Sequence, residues 1–361
     1  MARIVQSATW SGATEDVAVC DSSREVYTLS DPGGDPSLVR GRFVDGRFEQ
    51  DAGSETLPFR SPGYRMALTT GRIFVNDAVF ERRADGSIGA FLGRTGIEGR
   101  PLDDTHLVAG TEAAPELYDV STVEAPRLLA SLLVRDDAST GRPPHGIRDF
   151  AIQGDRVVLL SEDHHVLHTM ASADLLSIVE GDGRVILNDR FEVTTARATF
   201  QYFAVYAASR GRFLAPIDNP FVFTGTRPPP VDFMVPVHAI GDSASGELII
   251  DHAEDFGCPV QGDCLPNLDA FGEHYWVARG DFVFVMASQT RDVFSTTVID
   301  LDALTSGTPR AITDWLRDPD GLREDGAPIR QVCAAPGERV GLVFAHAPRA
   351  TVASLSRFEV R

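Results

Sequence analysis

The feature that most constrains this fold is a recurring outline: an apolar strand, a polar turn, and a second strand opening Arg/Glu-Val-x-Leu. It is clearest in IRDFAIQGDRVVLLSE (147–162) and returns in YRMALTTGRIFVND (64–77), HYWVARGDFVFVMAS (274–288) and RQVCAAPGERVGLVFA (330–345). Looser copies lie at 16–30 and 106–121, and a weak one at 235–251. The copies stand mostly about 40 to 57 residues apart, the length of one four-stranded blade. Seven of them fill the 361 residues, and QYFAVYAASRGRFLAP (201–216) is a candidate eighth. The expectation is an all-β chain forming a single β-propeller over residues 1–361, with seven blades and eight as the alternative. Two tandem β-sandwiches are the competing architecture. Helix signals are confined to SADLLSIVE (172–180) and PRAITDWLRD (309–318), whose apolar residues fall at three- and four-residue steps.

Charge narrows the function classes. Asp and Glu number 52 against 33 basic residues, a formal −19. Such a surface repels phosphate backbones, so nucleic acid is excluded as an expected partner. No apolar run reaches the roughly 18 residues of a membrane helix. All 33 basic residues are Arg, so mechanisms that need a lysine Schiff base or a Walker-type lysine are ruled out. The patterns G-x-S-x-G, H-E-x-x-H and strand–turn–helix G-x-G-x-x-G are missing as well.

Four cysteines remain. Cys258 and Cys264 bracket the loop GCPVQGDCLP, which suits a disulfide-closed turn, and their spacing is too wide for a C-x2-4-C metal site. Cys20 and Cys333 lie near opposite ends of the chain and become neighbours if it closes on itself. Two such disulfides point to an oxidising compartment, periplasmic or extracellular, reached by a signal peptide that MARIVQSATWSG does not contain. The alternative is four reduced thiols in a cytoplasmic protein.

Several segments resemble the carotenoid cleavage oxygenases, seven-bladed propellers that hold a non-haem iron with four axial histidines. RGRFVDGRFEQDAG (40–53) is similar to their early F-x-D-G strand, and GRIFVNDAVFERRADGSIGAFLG (71–93) to the blade that follows. THLVAGTEAAPELYDV (105–120) sits where the family carries its first iron histidine, and His106 fits that position. GIRDFAIQGDRVVLL (146–160) resembles the H-D-F-A segment with Arg148 in the ligand position. VPVHAIGDSASGELIID (235–251) resembles F-H-x-V-N-A-x-E with Val235 replacing the ligand and His238 three residues late. One of four ligands therefore carries over, and the chain reaches RFEVR before the expected fourth. The resemblance implies the propeller more than the iron chemistry.

Site residues follow from the repeats. The first strand of each blade lines the central channel, and aligning the polar turns brings Tyr64, His106, Arg148, His274 and Gln331 to equivalent positions. Asp16 joins them, and His238 lies nearby in its own blade. Arg148 suits bidentate recognition of a carboxylate or phosphate. His106 and His274 suit proton transfer. The leading expectation is an exported propeller that binds a small-molecule, peptide or saccharide ligand, with an anionic one favoured by Arg148, at the channel mouth through Asp16, Gln331 and His238. The alternative is an enzyme. In a lyase-like version Arg148 neutralises a carboxylate, His106 or His274 takes the proton and Tyr64 protonates the leaving group. In a metal-dependent oxidase version His106, His238 and His274 hold a transition metal; the sequence itself requires no cofactor. These side chains could equally line a polar, water-filled channel. SEDHHVLH (161–168) and RDPDGLREDG (317–326) read as solvated turns before they read as zinc, copper or calcium sites.

Overall fold

A computed structural model describes the backbone of the strands and the helix named below and of most of the chain from 25 to 135; side chains are described over most of 25–133 and in stretches between 147 and 176. The chain divides into two compact units: Met1–Ala109 with Leu117–Leu129 and Arg317–Arg361, and Gly110–Glu116 with Ala130–Leu316.

The first unit begins with β1 (Ala2–Ser11) and then builds a sheet from β2 (Ala13–Ser22), β3 (Glu25–Ser30), β4 (Ser37–Val44) and β5 (Arg47–Thr56), in that spatial order. The next sheet runs β6 (Met66–Leu68), β7 (Arg72–Val75), β8 (Ala78–Arg82), β9 (Ile88–Arg94). The third opens with β10 (Gly99–Pro101), β11 (His106–Ala109) and β12 (Glu116–Asp119), followed by β13 (Arg127–Arg135).

In the second unit β14 (Ile147–Gln153), β15 (Arg156–Ser161) and β16 (Leu167–Ala171) form a meander, and the helix α1 (Ser172–Ser177) follows directly. β17 (Arg184–Asn188) pairs in parallel with Ser131–Arg135 of β13. A further sheet joins β18 (Gln201–Tyr202), β19 (Tyr206–Ala208), β20 (Arg212–Asp218), β21 (His238–Asp242) and β22 (Leu248–Ile250). Another runs β23 (His274–Arg279), β24 (Phe282–Thr290), β25 (Val293–Asp300), β26 (Ala311–Thr313). The last sheet, in the first unit, comprises β27 (Ile329–Ala334), β28 (Val340–His346) and β29 (Val352–Val360), and β1 completes it by pairing antiparallel with β29, Ala2 opposite Val360.

Among the described residues seven sheets, most of them antiparallel meanders taken in chain order, with β17 alone returning to an earlier sheet and the first strand finishing the last one, give the connectivity of a β-propeller. The fold is all-β of this type. Among the described residues no helix is long and apolar enough to cross a membrane.

The repeats explain why the strands read as nearly continuous apolar runs. Successive side chains on a strand point to opposite faces, and a blade packs on both. On β7, Ile73 and Val75 join Tyr27, Leu29, Leu38, Leu57, Tyr64, Ala78 and Phe80 in a core between the first two sheets. Phe74 between them faces the other way and packs with Val79, Leu107, Ala109, Val120 and Val123. Phe80 is fully buried, and truncating it to Ala would cost about 3–5 kcal/mol.

Polar groups in these layers are tied down. Tyr27 is fully buried, and its hydroxyl donates to the Gly86 carbonyl at 2.6 Å while accepting from Arg82 Nε at 3.2 Å. Burial pushes the Tyr27 phenol above its ordinary range, against the opposing pull of Arg82. Arg40 is buried too; it bonds Glu25, Asp51 at 3.1 Å and the Asp85 carbonyl at 2.8 Å.

Three expectations are corrected. PRAITDWLRD does not start a helix: Ala311–Thr313 pairs with β25 as the fourth strand of its sheet, Val298 opposite Thr313. Its Ile and Thr are β-branched and complete a ladder that would otherwise end at β25. The segment at 201–216 does not found an eighth blade. It supplies β18, β19 and most of β20, which share one sheet with the strands of 235–251. Finally, 106–121 is not a first-and-second-strand hairpin, because β10 precedes it and makes β11 the second strand of its sheet.

Candidate functional site

The best-defined polar constellation lies where three turns of the first unit meet. The β6–β7 turn presents Gly71, whose N–H donates to Asp104 Oδ1 at 2.8 Å in the β10–β11 turn. A Cβ at residue 71 would stand 3.0 Å from Asp104 Oδ2, so any side chain here would press on this carboxylate. Arg72 reaches the following turn, with Nη1 donating to the Val120 carbonyl at 2.8 Å and Nη2 to the Ser121 carbonyl at 3.3 Å. Val120 N–H in turn donates to the Thr105 carbonyl at 2.7 Å. The turns are thus fastened to one another by backbone and side-chain bonds.

At the centre is Asp103-Asp104-Thr105-His106. Asp103 Oδ1 accepts from Thr105 N–H at 2.7 Å, Thr105 Oγ1 at 3.0 Å and His106 N–H at 2.8 Å, which is an Asx turn closed by a hydroxyl. The His106 ring also faces this carboxylate, with Nδ1 at 3.0 Å from Oδ1 and 2.9 Å from Oδ2. Burial acts to raise the Asp103 carboxyl, but the bonds from Thr105 and His106 outweigh it and hold the carboxyl below its usual range. The His106 side chain is 22% exposed, so its ring is oriented yet reachable. An oriented imidazole of this kind can accept a hydrogen bond, move a proton or take part in metal coordination.

The other expected site residues fall in different places. Tyr64 precedes β6 and is packed in the core between the first two sheets, its hydroxyl accepting the Ser61 N–H at 3.0 Å. Asp16, Arg148, His274 and Gln331 lie on β2, β14, β23 and β27, each the first strand of its sheet. His238 opens β21, an interior strand, and His106 opens β11, a second strand. The expected equivalence therefore does not hold at His106, because β10 comes before it; His238, expected nearby in its own blade, follows β18–β20 in its sheet. The side chains of Asp16, Arg148, His238, His274 and Gln331 lie outside the described residues. Cys20 lies on β2 and Cys333 on β27, strands in contact with each other, while Cys258 and Cys264 fall outside the described residues.

Iron held as in the carotenoid oxygenases does not fit this chain. In the sequence Arg148 stands where that family has one ligand histidine, and in the structure His106 opens a second strand with Nδ1 turned to Asp103. Among the described residues no group of three or more His, Cys, Asp or Glu side chains is placed to hold a metal ion.

Sequence reading passed over Asp103 and Thr105. The signal was present as Asp-x-Ser/Thr, which recurs at Asp85-Gly86-Ser87 and Asp119-Val120-Ser121 and closes turns there too.

No family model and no curated protein matches the chain. Among solved structures it is similar to the WD40 domain of Toxoplasma gondii coronin, with 11% identity, 99% of this chain and 88% of that one covered, and a TM-score of 0.48. It is also similar to the N-terminal domain of Nup159, with 10% identity, coverage of 99% and 95%, and a TM-score of 0.44. A chain of the S. cerevisiae Dbp5 assembly with Nup159, Gle1, IP6 and ADP gives 11%, 99%, 95% and 0.46.

Proposed function

We propose that residues 1–361 form one propeller domain that binds a small or extended ligand, and that His106 is a contact residue of that site. The observation that carries this reading is the fastened turn cluster around Asp103 and His106, which presents a half-buried imidazole on a rigid frame. Rigid turns around an accessible polar group are the usual basis of recognition on such scaffolds. Export and the two disulfides, Cys20–Cys333 and Cys258–Cys264, belong to the same proposal. Arg148, His274, Asp16, Gln331 and His238 are its further contact residues.

A second reading, acid–base catalysis, draws on one feature: the Asp103–His106 pair has the arrangement of a carboxylate orienting a general base. There His106 would take a proton while Arg148 holds an acidic substrate.

Thermal-shift screening against sugars, short peptides, amines and carboxylates, with the wild type beside His106→Gln, tests the proposal. Binding predicts at least one class that stabilises the wild type and loses its effect in the variant. Stabilisation that survives the substitution removes His106 from the site. Turnover of a bound compound that disappears in His106→Gln would favour catalysis.

A further inference from the structure

The chemistry at Asp103 fixes which nitrogen of His106 carries the proton. A carboxylate held below its usual range is ionised at neutral pH and can only accept hydrogen bonds. Nδ1 lies 2.9 and 3.0 Å from its two oxygens, so Nδ1 must be the N–H. Thr105 Oγ1 agrees with this: its hydrogen goes to Asp103 at 3.0 Å, leaving its lone pairs toward Nδ1 at 3.1 Å. In the neutral ring the other nitrogen, Nε2, is then a bare lone pair. Among the described residues it has no hydrogen-bond donor.

The surroundings are acceptors as well. Asp103 and Asp104 are carboxylates, and Asp104 already takes the Gly71 N–H. Arg72 of the same cluster directs its guanidinium to the Val120 and Ser121 carbonyls. The formal charge of the whole chain is −19. An anion brought to this cluster would meet the Nε2 lone pair and the Asp103 and Asp104 carboxylates.

We infer that the cluster is a hydrogen-bond acceptor site: the ligand group seated on His106 is an O–H or N–H donor without negative charge, as in a polyhydroxylated sugar or an amine. This rests on the reading of the turn cluster as a ligand site, and it assigns the chemistry of that site at one atom.

Long-range 1H–15N correlation spectra of the histidine rings test both halves. His106→Gln identifies the His106 signals by their loss. The expected pattern is a protonated Nδ1 and an unprotonated Nε2, reverting toward the common Nε2–H form in Asp103→Asn; an Nε2–H ring in the wild type overturns the inference whatever the ligand. Maltohexaose, spermidine and citrate are then titrated separately. The inference expects Nε2 to shift with the sugar or the polyamine, which tells the two donor sources apart, and to stay unmoved by citrate. It also expects about fivefold to tenfold weaker binding in Asp103→Asn, the loss of one oriented hydrogen bond. A shift with citrate alone reverses the assigned chemistry. No shift with any probe up to its solubility limit, in a ring that shows the Nδ1–H pattern, overturns the ligand site and leaves the proton assignment standing.

Discussion

Replacing Tyr27 with Phe isolates the polar part of the core between the first two sheets. The ring stays buried and the volume change is one oxygen, so there is no appreciable cavity term. Two bonds are lost: the 2.6 Å bond to the Gly86 carbonyl and the 3.2 Å bond from Arg82 Nε. Leaving a buried donor or acceptor unmatched costs about 1–3 kcal/mol. Arg82 keeps its 3.1 Å bond to the Thr69 carbonyl, so its share falls at the low end. The expected loss is about 2–3 kcal/mol. Urea unfolding followed by circular dichroism reads it as a lower midpoint with an unchanged slope, since the exposed surface does not alter. The phenol adds a pH signature. Burial raises its pKa, so its contribution is intact below about pH 10, the unfolded value, and is lost as pH climbs beyond it toward the higher folded value. The wild type should weaken there and Tyr27→Phe should weaken less. A loss below about 0.5 kcal/mol, the size of a surface substitution, would refute the account of this hydroxyl.

Gly86 has φ +77°, and a Cβ there would come within 2.7 Å of an Arg40 nitrogen, so Gly86→Ala should lower the thermal midpoint and disturb Arg40 together. Gly99→Ala should be worse, because its Cβ would stand against the backbone oxygen of Val108 rather than a movable side chain; soluble yield and circular dichroism give the comparison. The Asp119 carboxyl is held at about 2 by Ser121, chiefly through the hydroxyl and the N–H, with Arg127 adding to it. A lowered pKa means stability present above the unfolded value of about 4 and lost as pH falls toward 2, so acid titration of Asp119→Asn should show a shallower decline than the wild type. Peptide mapping of oxidised protein without reductant should recover Cys258 linked to Cys264 and Cys20 linked to Cys333; alkylation of all four thiols in protein isolated from an oxidising medium would overturn the disulfides.

The blade period was legible because strands buried on both faces, as β7 and β15 are, read as apolar at consecutive positions, with Gly and Asp in the turns between strands. What escaped was short or broken. β10 is Gly99-Arg100-Pro101, three residues with little apolar content and a proline, and missing it displaced His106 by one strand. β18 and β19 have two and three residues, so 201–216 looked like a blade of its own. Ala311–Thr313 lost its strand character to a neighbouring helical spacing that no local rule outweighs. At the site, His106 was picked out as a histidine, whereas its role depends on Asp103 three residues earlier. The three Asp-x-Ser/Thr turns were visible as letters; their pairing with a ring was a matter of geometry.

The pairing of β1 with β29 bears on how the chain is made. Ala2 leaves the ribosome far ahead of its partner Val360, so β1 waits with an open edge while the chain between them is made, about 20–70 s at ordinary elongation rates. An unpaired strand of that age is a target for wrong partners and for chaperones. A circular permutant that joins the two ends and opens the chain at 61–63 would put β29 and β1 into one hairpin, turning the contact most distant in sequence into a local one. Refolding of that variant should be faster and lose less protein to aggregation.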